Sequence, residues 1–132
     1  RYNRLIDIFL GISAYSLQNH LRTAVKGVGQ IEIDELYVGV DKRGQHYMIP
    51  VQAKAGKDEI GVVQVTQDIM FVEQKFPGMR CRAIATQFMA DKTVAMFSLL
   101  LQEGEVRIED ERHYRLVPHD RITRADVTNY DP

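Results

Sequence analysis

The chain has 132 residues, 45% hydrophobic and 27% charged, a size and composition typical of one globular domain rather than of a disordered segment. Its single cysteine, Cys81, excludes a disulfide framework and a cysteine-based zinc site, and it suits a reducing, cytoplasmic setting. The net charge of −1 differs from the basic balance of most stand-alone DNA-binding proteins, although carboxylates in an active site lower such a total.

The sequence predicts neither a membrane span nor a signal peptide. No apolar run reaches the ~18 residues that cross a bilayer, and charged residues interrupt the opening stretch RYNRLIDIFL. Because the chain opens at Arg1 without a methionine, we expect one domain, residues 1–132, that belongs to a longer protein and has that protein's other domains as partners. We also expect a cytoplasmic location and no membrane partner.

The first predicted element is an amphipathic helix over residues 3–25, broken near residues 11–13, because apolar side chains recur at three- and four-residue spacings. After the glycine-containing loop KGVGQ, residues 31–40 alternate and are rich in β-branched and aromatic side chains. DKRG then forms a turn, and residues 45–55 form a second strand. These two strands are therefore predicted to be a β-hairpin.

A second helix is predicted over residues 59–75, with Asp58 as its N-cap and FPG at its end. Strands and a short terminal helix follow: residues 80–88, 93–101, 105–109, the stretch HYRLV, and a helix with the capping pair Thr123 and Asp126. This order predicts an α/β domain in which helices flank a mixed central β-sheet. We divide it into a core, about 3–89, and a β-rich extension, about 90–132, which either joins the sheet or forms a homodimer interface.

Acidic, amide and lysine side chains are concentrated on the predicted hairpin. Glu32 and Asp34 share a face of the first strand because residues two apart do so, and Glu35 points the other way. Gln52 and Lys54 share a face of the second strand. A turn at DKRG places Gln52 across from Asp34 or one of its neighbours, and opposed Cβ atoms lie ~4.5–5.5 Å apart. An acid, an amide oxygen and an ammonium group are therefore expected to meet.

This combination suits metal-dependent phosphodiester hydrolysis. Mg²⁺ prefers oxygen ligands and keeps several waters, so one or two carboxylates, a carbonyl oxygen and a phosphate oxygen suffice to bind it. The ion lowers the pKa of a bound water and polarises the phosphate. A neighbouring lysine can orient or deprotonate that water, or stabilise the negative charge of the transition state.

The stretch from ID at Ile33–Asp34, through the turn, to VQAK ending at Lys54 resembles the PD-(D/E)xK nuclease superfamily. That family carries an acid on one strand, an acid-x-lysine tripeptide on the next, and then a helix. The resemblance covers roughly residues 3–88 and implies a restriction-endonuclease-like core, Mg²⁺ or Mn²⁺ as cofactor, DNA as partner and endonuclease activity. Two positions depart from the pattern: Ile33 replaces proline, and Gln52 replaces the second acid.

The resemblance also implies roles for individual residues. Asp34, Gln52 and Lys54 would be catalytic, with Asp34 and Gln52 as metal ligands. Further positions would assist them: Glu32 or Glu35 as an extra carboxylate ligand, Gln64 and Gln67 in the second helix as accessory residues, and Lys57 as a phosphate contact.

Two other interpretations remain open at this stage. Gln52 removes a negative charge, so the chain could be a weakened or inactive nuclease-fold domain that binds nucleic acid or mediates assembly. The same charges could equally form a solvated strand face on a plain structural domain, where exposed ion pairs contribute little stability. The four histidines show no metal-ligand spacing, and no phosphate-binding glycine loop is present.

Overall fold

A computed structural model describes residues 3–115 of the chain. The elements within this range are, in order, α1 (Asn3–Leu10), β1 (Ser13–Val25), β2 (Gly29–Val40), β3 (His46–Ala55), α2 (Val62–Lys75), β4 (Arg80–Cys81), β5 (Ala83–Phe88), β6 (Thr93–Gln102) and β7 (Glu105–Arg115).

The strands form one mixed sheet in the order β1-β2-β3-β5-β6-β7, and the two-residue strand β4 also pairs with β3. Strands β1, β2 and β3 are successively antiparallel, whereas β3 and β5 are parallel. A parallel pair requires a crossover connection, which α2 provides. The mixed sheet of the predicted α/β domain is therefore confirmed, and the C-terminal hairpin β6–β7 extends that sheet.

The turn between β2 and β3 fixes their register. Asp41 Oδ1 accepts hydrogen bonds from the backbone N–H groups of Arg43 (2.8 Å) and Gln45 (2.9 Å). Gly44 adopts a φ of +79°, a conformation that glycine reaches without strain. The predicted hairpin is confirmed, with Val40 opposite His46 and each following pair in strict order.

The predicted first helix is wrong beyond Leu10. Gly11 adopts a φ of +68° and ends α1, and the chain then runs as β1, which pairs with β2 along its length. The spacing of Leu17 and Leu21 mimicked a helical repeat. Leu17 in fact lies at a register shift between Ser16 and Gln18 and is exposed, so it contributes nothing to an apolar helix face.

Smaller corrections concern the later elements. Helix α2 begins three residues later than predicted, and its N-cap is Gly61 rather than Asp58. Its end before Pro77 is confirmed. The predicted strand 80–88 is interrupted at Arg82, whose N–H donates to Met48 O. HYR belongs to β7 instead of forming a separate strand. The terminal helix predicted at Thr123 and Asp126 lies outside the described residues.

The core occupies both faces of the sheet. On one face, Ile6 of α1 packs with Tyr37, Ile49, Val51 and Ile84. On the other face, α2 packs against the sheet in two clusters, which contain Val65, Ile69, Phe71 and Val72 of α2 and Ile33, Leu36, Met48, Ala85 and Leu99 of the strands. None of the helices in the described range is long and apolar enough to cross a membrane.

Candidate active site

Strands β2 and β3 separate partway along their length. They pair from Val40 and His46 as far as Glu35 and Val51. Beyond that point β2 continues to pair only with β1, while β3 continues along β5 as far as Ala55. Were the register to continue, the next pair would be Asp34 and Gln52, so these two residues lie where the strands diverge.

Asp34 bridges this separation with its side chain. Its Oδ2 accepts a hydrogen bond of 2.8 Å from the backbone N–H of Ala53 on β3. The carboxylate thus replaces a ladder bond that the diverging backbone no longer makes. No residue in the described range donates a hydrogen bond to Oδ1. Asp34 is half-buried. Its Oδ1 atom is therefore available to a ligand.

Gln52 faces α2 and is only 5% exposed. Its ladder partner is Ala85, which packs against Val65 and Ile69 of α2, and ladder partners share a face of the sheet. Its Oε1 accepts a hydrogen bond of 3.1 Å from the N–H of Gly61, the N-cap of α2. Its Nε2 is buried and has no hydrogen-bond partner among the described residues.

The Gly61 contact determines the orientation of the Gln52 amide. A backbone N–H can only donate, so the amide atom that faces it must be the oxygen. The N–H groups of Gln52 are consequently directed away from Gly61 and meet no acceptor in the described part of the chain. Gln52 Oε1 keeps one lone pair that could bind a metal. Gln52 Nε2, the atom without a partner, is a hydrogen-bond donor and is therefore suited to an anion or a water.

Lys54 lies two residues beyond Gln52 and therefore shares its face of the sheet. It is half-buried opposite Gln87 of β5. No ion pair joins it to any of the described carboxylates. Its ammonium group is therefore left to interact with a ligand.

Asp68 is a site residue that the sequence analysis missed. It lies on the buried side of α2, is 5% exposed, and receives no hydrogen bond or ion pair from the described residues. Burial raises the pKa of its carboxyl group to about 7, and the negative charge of Asp34 adds to that rise. The two carboxyl groups are therefore electrostatic neighbours. A sequence signal existed: Asp68 interrupts the apolar repeat of Val65, Ile69 and Val72.

The structure does not bring Glu32 and Glu35 to Asp34. Glu35 pairs with Val51 on the α1 face of the sheet, where its Oε2 accepts a 2.7 Å hydrogen bond from the hydroxyl group of Tyr37. Glu32 is exposed and lies 3.5 Å from the Nε of Arg22. The carboxyl group whose pKa the Asp34 charge raises is instead Asp68 on α2.

The three accessory candidates lie at the edge of this region. Gln64 is exposed in the first turn of α2, and its side chain lies over Gly61. A Cβ atom added to Gly61 would lie 2.7 Å from the Oε1 atom of Gln64. Gln67 is half-buried beside Asp68 on the helix, and Lys57 is exposed in the turn after β3. Of the three, Gln64 is the one that the structure connects to the Gln52–Gly61 contact.

The donor set suits a hard divalent cation better than zinc. The described residues contain no group of three or more histidine, cysteine, aspartate or glutamate side chains arranged around a metal position. Asp34 and Asp68 supply two carboxylates, and one lone pair of the Gln52 oxygen remains. Mg²⁺ binds through one or two carboxylates and otherwise keeps its waters, whereas structural zinc requires a full nitrogen and sulfur shell.

Comparisons with protein-family models, with curated proteins and with solved structures found no match to this chain. Function is therefore inferred from the site itself. Its four central side chains are Asp34, Gln52, Lys54 and Asp68.

Proposed function

We propose that this chain is the catalytic domain of a metal-dependent DNA endonuclease with a restriction-endonuclease-like core, using Mg²⁺ or Mn²⁺. The observation that carries the proposal is the divergence of β2 and β3 at Asp34 and Gln52, with Lys54 on the same face. The element order supports it: a helix, three antiparallel strands, a crossover helix and a parallel strand. Along these elements an acid, a Q-x-K tripeptide in place of acid-x-K, and a helix follow in the order expected of that family.

Each residue has a distinct role in this proposal. Asp34 would hold the ion through Oδ1 while its Oδ2 keeps β3 in place through Ala53. A bound divalent ion supplies Lewis-acid activation of water and of the scissile phosphate. Lys54, a cation without a carboxylate partner in the described range, orients the attacking water and balances the charge of the phosphate. DNA is the proposed partner, and a cytoplasmic location belongs to the same proposal.

One observation favours a second candidate, a nuclease-fold domain that binds nucleic acid or supports assembly, including a homodimer, without cutting. Gln52 contributes no negative charge, and its oxygen already accepts the Gly61 N–H. A site with fewer charged ligands binds Mg²⁺ more weakly. Under this alternative the protein binds DNA but leaves it intact at any divalent-ion concentration.

The decisive experiment measures cleavage of linear, supercoiled and single-stranded DNA with Mg²⁺ or Mn²⁺, with EDTA as the blank. The test variants are Asp34→Asn and Lys54→Ala, and their matched controls are Glu73→Gln and Lys75→Ala, which alter exposed residues of α2. We expect each test variant to lose about 100-fold or more in rate, as removal of one electrostatic stabiliser typically does. Unchanged cleavage in both test variants would overturn the site, and binding without cleavage by the wild type would favour the second candidate.

A further inference from the structure

Asp68 is an isolated acidic group on the apolar side of α2. The buried residues of the helix are Val65, Asp68, Ile69, Phe71 and Val72, so a carboxyl group stands among four hydrophobic side chains. A buried carboxylate is strongly unfavourable unless a cation or hydrogen-bond donors accompany it. None of the described residues supplies either to Asp68. A cationic ligand would satisfy the ionised form of such a group.

The negative charge of Asp34 makes ionisation of Asp68 still less favourable. The negative charge of Asp34 acts on Asp68 across the space between β2 and α2. Asp34 is held in place by the Ala53 N–H, so it does not withdraw from its neighbour. Two nearby carboxyl groups repel when both are ionised, and a proton or a cation bound between them relieves that repulsion.

Gln52 is a second, independent unsatisfied group on the same face. It immediately precedes Ala53, which donates to Asp34, and its ladder partner Ala85 packs on Val65 and Ile69, the residues on either side of Asp68 on α2. Its Nε2 is buried without an acceptor, while its Oε1 is occupied by Gly61. The diverging strands and α2 thus bring together the carboxyl group of Asp68, the Asp34 carboxylate with one oxygen unbonded among the described residues, and a buried amide donor without an acceptor. These groups together match a cation with an anionic ligand.

We propose that Asp68 is the second carboxylate of a divalent-cation site shared with Asp34, supplied by α2 in place of the acid that Gln52 lacks. Gln52 then contributes its amide N–H to an oxygen of the anionic ligand rather than its oxygen to the metal. The cation site rests on the two carboxyl groups together with the geometry around them: Asp34 bonded to Ala53 of β3, and the buried Gln52 amide bonded to Gly61 at the start of α2. The identity of the anion as a phosphodiester rests on the proposed nuclease function.

In this proposal Asp68 supplies the negative charge that is lost where Gln52 replaces the second acid of the sequence pattern. Mg²⁺ is commonly bound through one or two carboxylates together with waters and phosphate oxygens. Here one comes from β2 and the other from the crossover helix, six residues after its start at Val62. The relocation is feasible because α2 packs directly on the face that bears Gln52.

The test measures Mn²⁺ binding to the full chain by calorimetry and electron paramagnetic resonance. Asp68→Asn should weaken Mn²⁺ binding at least about tenfold, the smallest loss typical even of outer-shell partners, and Asp34→Asn should do the same. Glu73→Gln is the matched control, an acid-to-amide change at an exposed position of the same helix, and should leave binding unchanged. Thermal melts verify folding, which Asp68→Asn preserves because it removes a buried charge.

A charge-relocation variant makes the test sharper. Asp68→Asn combined with Gln52→Glu moves the carboxylate from α2 to β3, and the glutamate still accepts the Gly61 N–H. We expect the double variant to regain most of the Mn²⁺ affinity that the single variant loses. Mn²⁺ binding by Asp68→Asn at wild-type strength overturns the proposal.

The same proteins separate this inference from the proposed function. Mn²⁺ binding that follows the expected pattern, in a wild type that cuts no DNA, keeps the cation site and removes the nuclease proposal. DNA cleavage by the wild type, together with unimpaired Mn²⁺ binding and cleavage by Asp68→Asn, keeps the nuclease and removes Asp68 from its site.

Discussion

The Oδ2 atom of Asp34 accepts a hydrogen bond of 2.8 Å from the backbone N–H of Ala53, at the point where β2 and β3 cease to pair. One carboxylate therefore has two proposed roles: its Oδ2 completes the hydrogen bonding of β3, and its Oδ1, unbonded among the described residues, is available to a cation. These roles are separable by substitution, because an asparagine keeps an acceptor oxygen while an alanine has none.

We predict that Asp34→Asn and Asp34→Ala impair metal binding equally but differ in stability. Asn retains the hydrogen bond to Ala53, whereas Ala removes it and should cost on the order of 1.5–3 kcal/mol, the usual contribution of a hydrogen bond to a charged group. Urea unfolding in EDTA measures the stability difference, and Mn²⁺ calorimetry measures the binding. Equal stabilities of the two variants would show that the Ala53 contact contributes little.

The hairpin could be predicted from sequence because its determinants are local. Alternating residues, a DKRG turn and the fixed period of a strand give the observed register from Val40 and His46 to Glu35 and Val51, next to Asp34 and Gln52. Strand β1 could not be predicted, because the spacing of Leu17 and Leu21 also fits a helix. Only the pairing of this segment with β2 makes it a strand. Tertiary context overrode the local pattern there.

Part of the candidate site could be proposed from sequence for the same physical reason. Asp34, Gln52 and Lys54 follow from strand geometry alone. Asp68 required knowledge of which side of α2 packs on the sheet, and the orientation of the Gln52 amide required the contact with Gly61, nine residues away. Neither contact can be predicted from nearby sequence. The position of Asp68 within an apolar repeat does, however, indicate a buried acidic residue.

Asp68 should make the metal-free protein less stable as the pH rises. Its pKa is about 7 in the folded chain against an ordinary value of 3.8, so the folded protein holds a proton that the unfolded chain releases. The contribution of Asp68 to the free energy of unfolding is highest below about pH 4, falls between about pH 4 and 7, and levels off above that, a total change of up to about 4 kcal/mol. Asp68→Asn should remove this component.

The measurement is urea unfolding in EDTA at pH 4.5, 6 and 8. Nearby groups that titrate or contribute charge are Asp34, Cys81 and Glu73. The control is therefore Glu103→Gln, at an exposed residue between β6 and β7 that contributes to neither the Asp68 nor the Cys81 pKa. At pH 8 Asp68→Asn should be more stable than the wild type. Parallel loss of stability in both proteins would mean that Asp68 is not the titrating group.

The hydrogen bond between Tyr37 and Glu35 is predicted to be structural. Tyr37→Phe leaves a buried carboxylate without this donor, which should lower the free energy of unfolding by about 1–3 kcal/mol. Mn²⁺ affinity should be unchanged, because Glu35 and Tyr37 lie on the α1 face, away from Asp34. Chemical denaturation and calorimetry check the two parts. A Tyr37→Phe protein with weakened Mn²⁺ binding would restore Glu35 as a ligand candidate.

Cys81 is predicted to be a poorly reactive thiol in the folded chain. Burial raises its pKa to about 12, and the negative charges of Asp68 and Glu73 add to the rise. At pH 8 its thiolate fraction should be about 10³-fold below that of a thiol with the ordinary pKa of 9.0. Alkylation by iodoacetamide, followed by mass spectrometry with and without urea, checks this. Equal rates in both conditions would contradict the burial of this thiol.

Gln52→Glu alone should increase Mn²⁺ affinity while destabilising the metal-free protein. The substitution keeps the oxygen that accepts the Gly61 N–H and replaces the unsatisfied Nε2 with a charged oxygen. A third carboxylate close to Asp34 and Asp68 adds repulsion when no cation is present and attraction when one is. Calorimetry and melting temperatures with EDTA or Mn²⁺ measure both effects, and Gln18→Glu on the exposed part of β1 is the control for the charge change. If Gln52→Glu behaves like Gln18→Glu in both measurements, Gln52 does not border a cation site, because a charge added beside a bound divalent ion necessarily changes its affinity.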